Sequence, residues 1–285
     1  MRNLLSVFVL ALCSFHCSHG QSTLEGRLLS LSDQQPLIYA NVGLVACNLG
    51  TVTDVEGRFV LTIPDSLRGK EIRFSQYGFE PYSMVVSAAF FQQAEGGLLI
   101  YMTEHVQDQE EMTVRAPELK QKELGRKSEN GTITVGFLSY QLGSEMGSVI
   151  DVKRRSYVED FNFGVYATGY DTLVFRINFF ACDKKGVPTD SLLTKSVVFG
   201  WNPSMNGMVS IDLKEEYITL KQDALLSLEI VGGEFSNGEI GKRSVQFAAK
   251  LMGGTYARQT SQSAWEEVPV VTPAFYITVQ QEVGK

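Results

Sequence analysis

The chain is poor in the residues that most enzymatic chemistry needs. Its 285 residues include three histidines, four cysteines and two tryptophans. The first twenty positions hold His16, His19, Cys13 and Cys17, so everything beyond Gly20 has one histidine, His105, and two cysteines, Cys47 and Cys182. A zinc site of the two- or three-histidine kind cannot be assembled from that stock. A Ser-His-Asp or Cys-His nucleophile would depend on His105 alone. His105 stands in the polar, acidic run Thr103 to Glu111, the composition of a solvated loop. Cys47 and Cys182 are far apart in sequence, make no disulfide framework, and read as two separate buried thiols. No metal and no cofactor is expected.

A long apolar run is also missing. Residues 1–20 read as a secretory signal: Arg2 is the positive start, Leu4 to Leu12 the apolar stretch, and Ser18-His19-Gly20 a small-residue cleavage site. The stretch is well short of the roughly 20 residues that cross a bilayer as a helix. Neither Leu12 before Cys13 nor His16 before Cys17 is the small residue that precedes a lipid-modified cysteine. The remainder, starting near Gln21, carries 24 basic against 32 acidic residues, which argues against a nucleic-acid surface. The expectation is an exported protein, periplasmic, outer-membrane-associated or extracellular, with a place at the periphery of the outer membrane open to it.

What the sequence does have is two-residue alternation broken by turn residues. Between Thr23 and Thr103 it predicts strands at Leu24–Leu29, Ala40–Ala46, Gly50–Val52, Phe59–Ile63, Glu71–Gln76, Ser83–Val86 and Leu98–Met102. Phe59, Leu61 and Ile63 alternate with polar neighbours, and Asp54 with Gly57 supplies the turn before them. Phe90 and Phe91, with Ala88, Ala89 and Gln92, allow one helical turn, and no longer helical stripe is present. Short strands with frequent turns are the pattern of a small antiparallel sandwich.

These residues carry a resemblance. Gly26, the run Pro36-Leu37-Ile38-Tyr39-Ala40-Asn41-Val42, Gly50-Thr51-Val52-Thr53-Asp54 through Gly57-Arg58-Phe59, and Ile72-Arg73-Phe74-Ser75-Gln76-Tyr77-Gly78-Phe79 resemble the carboxypeptidase-regulatory-like domain. The resemblance implies a transthyretin-like, seven-stranded β-sandwich over residues 21–103, of the kind found in secreted and outer-membrane proteins of Bacteroidetes type. It implies no peptidase activity, since that module carries no metal ligands. The pattern departs at Leu44-Val45-Ala46-Cys47-Asn48, where lysine, glycine and threonine are usual. That departure is expected to alter a loop and leave the fold intact.

Residues 104–128 are charged and polar without apolar period and read as a linker, with Met112 to Ala116 as one short strand. The linker resembles the segment joining this module to the plug of TonB-dependent receptors, but the chain that follows is too short for a receptor barrel. Residues 129–285 return to alternation, with about nine strands, most regular at Asp160–Tyr166 and Thr172–Phe180. They predict a second, jelly-roll-like β-sandwich, which resembles the C-terminal β-domain found with this module.

Carboxylates are the abundant acid–base groups, so the enzymatic option is glycoside hydrolysis by a pair drawn from Glu145, Asp160, Asp212, Glu229 and Glu234, with Asp212 and Glu229 on neighbouring strands. An outer sheet face accounts for the same residues without any activity. Trp201 and Trp265 stand in turn-rich surroundings and are candidate ligand-stacking anchors or core caps. Gly232-Gly233 and Gly253-Gly254 precede no helix and read as loop or bulge glycines, not phosphate cradles. The expectation is a non-catalytic binding or scaffolding protein of the envelope, its partner a glycan or envelope protein. The alternatives are a carboxylate-dependent glycan hydrolase, or an accessory of a TonB-dependent transport system.

Overall fold

The structure is a computed structural model describing residues 20–94, 96–105, 118–128, 131–137, 141–235 and 243–283. The expected signal segment short of Gly20, and residues 106–117 of the expected linker, lie outside the described residues. The described chain is nearly all β.

Seven strands build the first sandwich: β1 Gln21–Ser30, β2 Asn41–Leu44, β3 Gly50–Val52, β4 Arg58–Pro64, β5 Glu71–Ser75, β6 Tyr82–Val85 and β7 Leu98–Met102. One sheet has the order β4-β1-β7 and the other β3-β2-β5-β6. Alternation decides which faces meet. On β4, Phe59, Leu61 and Ile63 are buried while Arg58, Val60 and Thr62 face water. They pack with Leu24, Leu28, Val42, Ile72 and Phe74 in a core of their own. The turn into β4 is tied by Asp54, whose Oδ1 accepts from the amides of Glu56 (2.9 Å) and Arg58 (2.8 Å). Gly57 closes it at φ +74°, where a Cβ would lie 2.6 Å from the Leu28 carbonyl oxygen, so glycine is required. Helix α1, Ala88–Gln93, supplies Phe90 to the core.

The second sandwich contains β8 Leu119–Gly125, β9 Thr134–Phe137, β10 Glu145–Ile150, β11 Ser156–Thr168, β12 Thr172–Cys182, β13 Pro188–Ser191 and β14 Val197–Trp201. It continues with β15 Gly207–Asp212, β16 Thr219–Leu220, β17 Ala224–Glu234, β18 Ser244–Arg258, β19 Glu266–Pro273 and β20 Tyr276–Glu282. One layer is β13-β12-β17-β10-β18 and the other β18-β11-β20-β8, so β18 belongs to both. Its first residues pair with β9 and β11, and its later ones with β10 and β19. The bend between them is a bulge, where the register slips between Leu251 and Gly254. Phe163 from β11 and Phe247 from β18 meet Phe275 in the core between the layers, Phe247 and Phe275 edge-on at 5.3 Å, and Phe175 from β12 packs on Phe247.

Three expectations need correction. Leu119–Gly125, expected as linker, is a strand paired antiparallel along the whole of β20. Its charges suit an outer strand exposed on nearly every residue, and such a strand has the same composition as a linker because water surrounds both. Thirteen strands stand among the described residues of the second sandwich where about nine were expected. Those missed include β13, the two-residue β16 and β19, which contains Pro269 and two glutamates and pairs only with β18. Cys47 and Cys182 are separate free thiols, as expected, but half-buried rather than buried.

Candidate functional site

The registers of four adjacent strands put four charged side chains in one straight row. Arg176 on β12 is opposite Glu229 on β17, Glu229 is opposite Glu145 on β10, and Glu145 is opposite Arg258 on β18. The order across the sheet is therefore positive, negative, negative, positive. Residues on the opposite face of the same strands, Phe175, Ile177, Leu228 and Ile230 among them, fill the larger core. The charged row thus lies on the face turned away from that core, where alternation alone predicts water. Yet Arg176, Glu145 and Glu229 are 1 % exposed or less.

The first sandwich is what covers them. Tyr77, which follows β5, packs against the larger core and donates its hydroxyl to Asn178 Oδ1 at 2.7 Å. The carbonyl of Tyr39 accepts from Arg176 Nη2. The Asn41 amide satisfies both neighbours when its oxygen faces Arg176 Nη1 (3.1 Å) and its nitrogen faces Glu229 Oε1 (2.9 Å). A second set of contacts comes from the loop between β18 and β19. Gln262 accepts from the Ala46 amide (3.0 Å) and donates to Ser75 Oγ (2.9 Å), and Ser263 Oγ donates to the Cys47 carbonyl (2.9 Å). The stretch that departs from the carboxypeptidase-regulatory-like pattern, Leu44 to Asn48, is therefore the loop that meets the second sandwich.

The two carboxylates are held differently. Glu145 accepts at Oε2 from Arg258 Nη2 (2.5 Å) and Nε (2.8 Å), and at Oε1 from Ser227 Oγ and Asn178 Nδ2, both at 2.6 Å. Glu229 Oε2 has only the longer contacts of Arg176 Nη1 (3.3 Å) and Asn178 Nδ2 (3.2 Å). Burial raises the Glu229 pKa above the ordinary carboxyl range. Arg176 opposes that rise and the adjacent Glu145 charge adds to it. Burial also pushes the Tyr77 hydroxyl up to about 12, which keeps it a donor. The Cys182 thiol, pushed by burial to about 11, is a poor nucleophile.

From the row a cleft of about 400 Å³ opens between the two sandwiches. Asn178 and Glu229 are on its floor, Arg73 and Gln76 on the first sandwich's wall, and Thr189 and Asp190 on the second's.

Of the carboxylates singled out in the sequence, Glu145 and Glu229 come together, and the expected pair of Asp212 with Glu229 does not form. Asp212 faces Asp160 across the β11–β15 register with its side chain in water, and Glu234 is exposed at the end of β17. Trp201 is corrected from ligand anchor to core residue. It lies in strand β14, opposite Leu173, in phase with buried Val197, and is 1 % exposed. Trp265 is half-buried beside the junction, edge-on to Phe180 at 5.5 Å, with the Arg258 guanidinium 4.2 Å from its ring centre. His105 is exposed, its amide bonded to the Gly78 carbonyl at 2.7 Å. Among the described residues, no group of three or more histidine, cysteine, aspartate or glutamate side chains is placed to hold a metal ion.

Arg176, Asn178, Arg258, Asn41 and Tyr77 were not anticipated. The available signal was Arg176 and Asn178 at the polar positions of an otherwise apolar strand, too costly a place for a long side chain unless something polar covers it.

Comparison with known proteins adds one assignment. No curated protein matches the chain. Among solved structures it is similar to the cysteine protease and lectin-like domains of Cwp84, a surface layer associated protein of Clostridium difficile, at 10% identity and a TM-score of 0.35. That match covers 54% of this chain and 37% of that one. It is also similar to infectious bursal disease virus, Gx strain, at 11% identity and a TM-score of 0.28, over 92% of this chain and 65% of that one. The chain spans less than two thirds of either, and neither score describes a shared fold. The family model that matches is the CarboxypepD_reg-like domain, over residues 24–114, a stretch that takes in the N-terminal sandwich from Leu24 onward and supports that domain assignment.

Proposed function

We propose that the chain is a non-catalytic binding or scaffolding protein of the cell envelope, exported, with a glycan or an envelope protein as its partner. The CarboxypepD_reg-like sandwich is the platform, and the larger sandwich with the junction supplies the binding surface. The charge row carries this reading. Both carboxylates are engaged by guanidinium, amide or hydroxyl groups, and they lie side by side on one sheet. A carboxylate-dependent glycosidase instead needs its two acids on either side of the scissile bond, about 5–9.5 Å apart, with room for the sugar. Here both are 0 % exposed and share one amide nitrogen, Asn178 Nδ2, which leaves no room for a sugar between them.

The test is a purified chain assayed in parallel for turnover and for binding. Chromogenic and natural glycans are expected to be left intact, while a glycan array or an envelope-protein pull-down retains a partner. Turnover that disappears in Glu145→Gln would overturn the reading in favour of the hydrolase.

A further inference from the structure

We infer that the cleft between the two sandwiches is a subsite for a neutral sugar, an inference that rests on the binding function proposed above and names its ligand class and place. The observations are the position of the cleft, its charge balance and its hydrogen-bonding chemistry. Small-molecule sites form preferentially where domains meet. This one, at about 400 Å³, falls within the size range of such pockets and has a floor that does not need to reorganise, because Asn178 and Glu229 are fixed by the charge row.

Charge decides the class of ligand. In the lining Arg73 is paired with Glu71 at 2.9 Å, Arg258 with Glu145 and Glu229 with Arg176, so these charges are already answered by protein partners and do not call for a charged ligand. What the walls present beyond these pairs is the chemistry of amides and hydroxyls: Gln76 and Gln262, Ser75 and Ser261, Thr189 and Ser191. Groups that both donate and accept at close spacing suit a polyol, whose hydroxyls do the same. Gln76 makes the point at one atom. Its nitrogen donates to the Ile38 carbonyl at 3.1 Å, while its buried Oε1 has no hydrogen-bond partner. A buried amide oxygen without a donor is costly, and a side-chain shift that turns it toward the cleft would let a ligand hydroxyl satisfy it. Phe180 and Tyr77 add aromatic surface to the same lining.

The experiment uses the full chain with methyl glycosides and disaccharides of neutral hexoses and of N-acetylhexosamines, read by saturation-transfer NMR and titration calorimetry. Asp190→Ala alters an exposed wall residue and Arg73→Ala a half-buried one, both outside the charge row, and Tyr217→Ala is the remote control at an 86 % exposed position. The expected result is that a neutral sugar binds with little dependence on salt. Both wall variants should weaken it about tenfold or more, a loss of about 1.4 kcal/mol, with the melting temperature unchanged, and the control should not. Equal affinity in wall variants and control would overturn the location. Binding only of uronic or sulfated sugars, lost in high salt, would overturn the neutral class. Failure of every sugar, with an envelope protein still captured, would overturn this inference and leave the proposed binding function standing, whereas failure of both would remove the two together.

Discussion

Glu145 and Glu229 are the same side chain on adjacent strands, and they differ in chemistry because the groups around them differ. Glu145 receives four short hydrogen bonds, two of them from one guanidinium, and Glu229 receives longer ones. Removing the Glu145 charge strands Arg258 in a largely buried place, so Glu145→Gln should destabilise the chain by about 3–5 kcal/mol. Glu229→Gln should cost less, because Arg176 keeps the Tyr39 carbonyl and Asn41 as partners and the amide replaces a charge that burial disfavours. The Glu229 variant should also show a pH dependence. A raised folded pKa means that the stabilising contribution of Glu229 is complete below its ordinary value of 4.5 and is lost as pH rises through the raised one. The melting temperature of Glu229→Gln relative to the unsubstituted chain should therefore climb from acid to neutral pH. A difference that stays flat, or falls, would show that Arg176 outweighs desolvation.

At the scale of the element, strand β4 and strand β8 show opposite uses of a side chain's exposure. Phe59 is buried among Leu24, Leu28 and Phe74, so Phe59→Ala should cost about 3–5 kcal/mol, while Arg58→Ala, on the face in water, should fall within about half a kcal/mol. Equal effects in denaturant melts would mean the β4 register is wrong. On β8 the charges guard an outer edge. Lys122 Nζ donates to Gln281 at 2.7 Å, and Lys120 stands exposed beside it in the strand. Lys120→Val with Lys122→Val should leave the fold intact and promote edge-to-edge association, seen as larger species in size-exclusion chromatography with light scattering. A peak unchanged from that of the unsubstituted chain would show that the edge is guarded by something else.

At the scale of the whole molecule, the junction makes two sandwiches with separate cores behave as one unit. Their connections are polar: Tyr77 with Asn178, Tyr39 with Arg176, and the Gln262 loop with Ala46 and Ser75. Buried polar contacts are specific in geometry, and each costs about 1–3 kcal/mol when one partner is left unsatisfied. Calorimetry of the intact chain should show one unfolding transition. Tyr77→Phe combined with Gln262→Ala should separate it into two, since neither substitution removes core volume. A single, uniformly lowered transition would place the coupling elsewhere.

Much of this architecture was legible in the sequence for a plain physical reason. A strand's two-residue period sorts apolar from polar side chains whatever lies beyond it, so the first seven strands, the Asp54–Gly57 turn and the inward set Phe59, Leu61 and Ile63 follow from local composition. Local composition also fixed what is scarce, a single histidine and two distant cysteines beyond Gly20. What alternation cannot say is what covers a polar face. Arg176, Asn178, Glu229 and Glu145 read as the solvent side of their strands, and only the docking of the first sandwich makes that side an interior. For the same reason Leu119–Gly125 has the composition of a linker although it pairs with β20, and Trp201 in the sequence stands between ligand anchor and core cap, which its place in a buried strand position decides for the core. The sequence determined which residues share a face. Only the tertiary structure decided whether that face meets water or protein, because burial depends on contacts between segments distant along the chain.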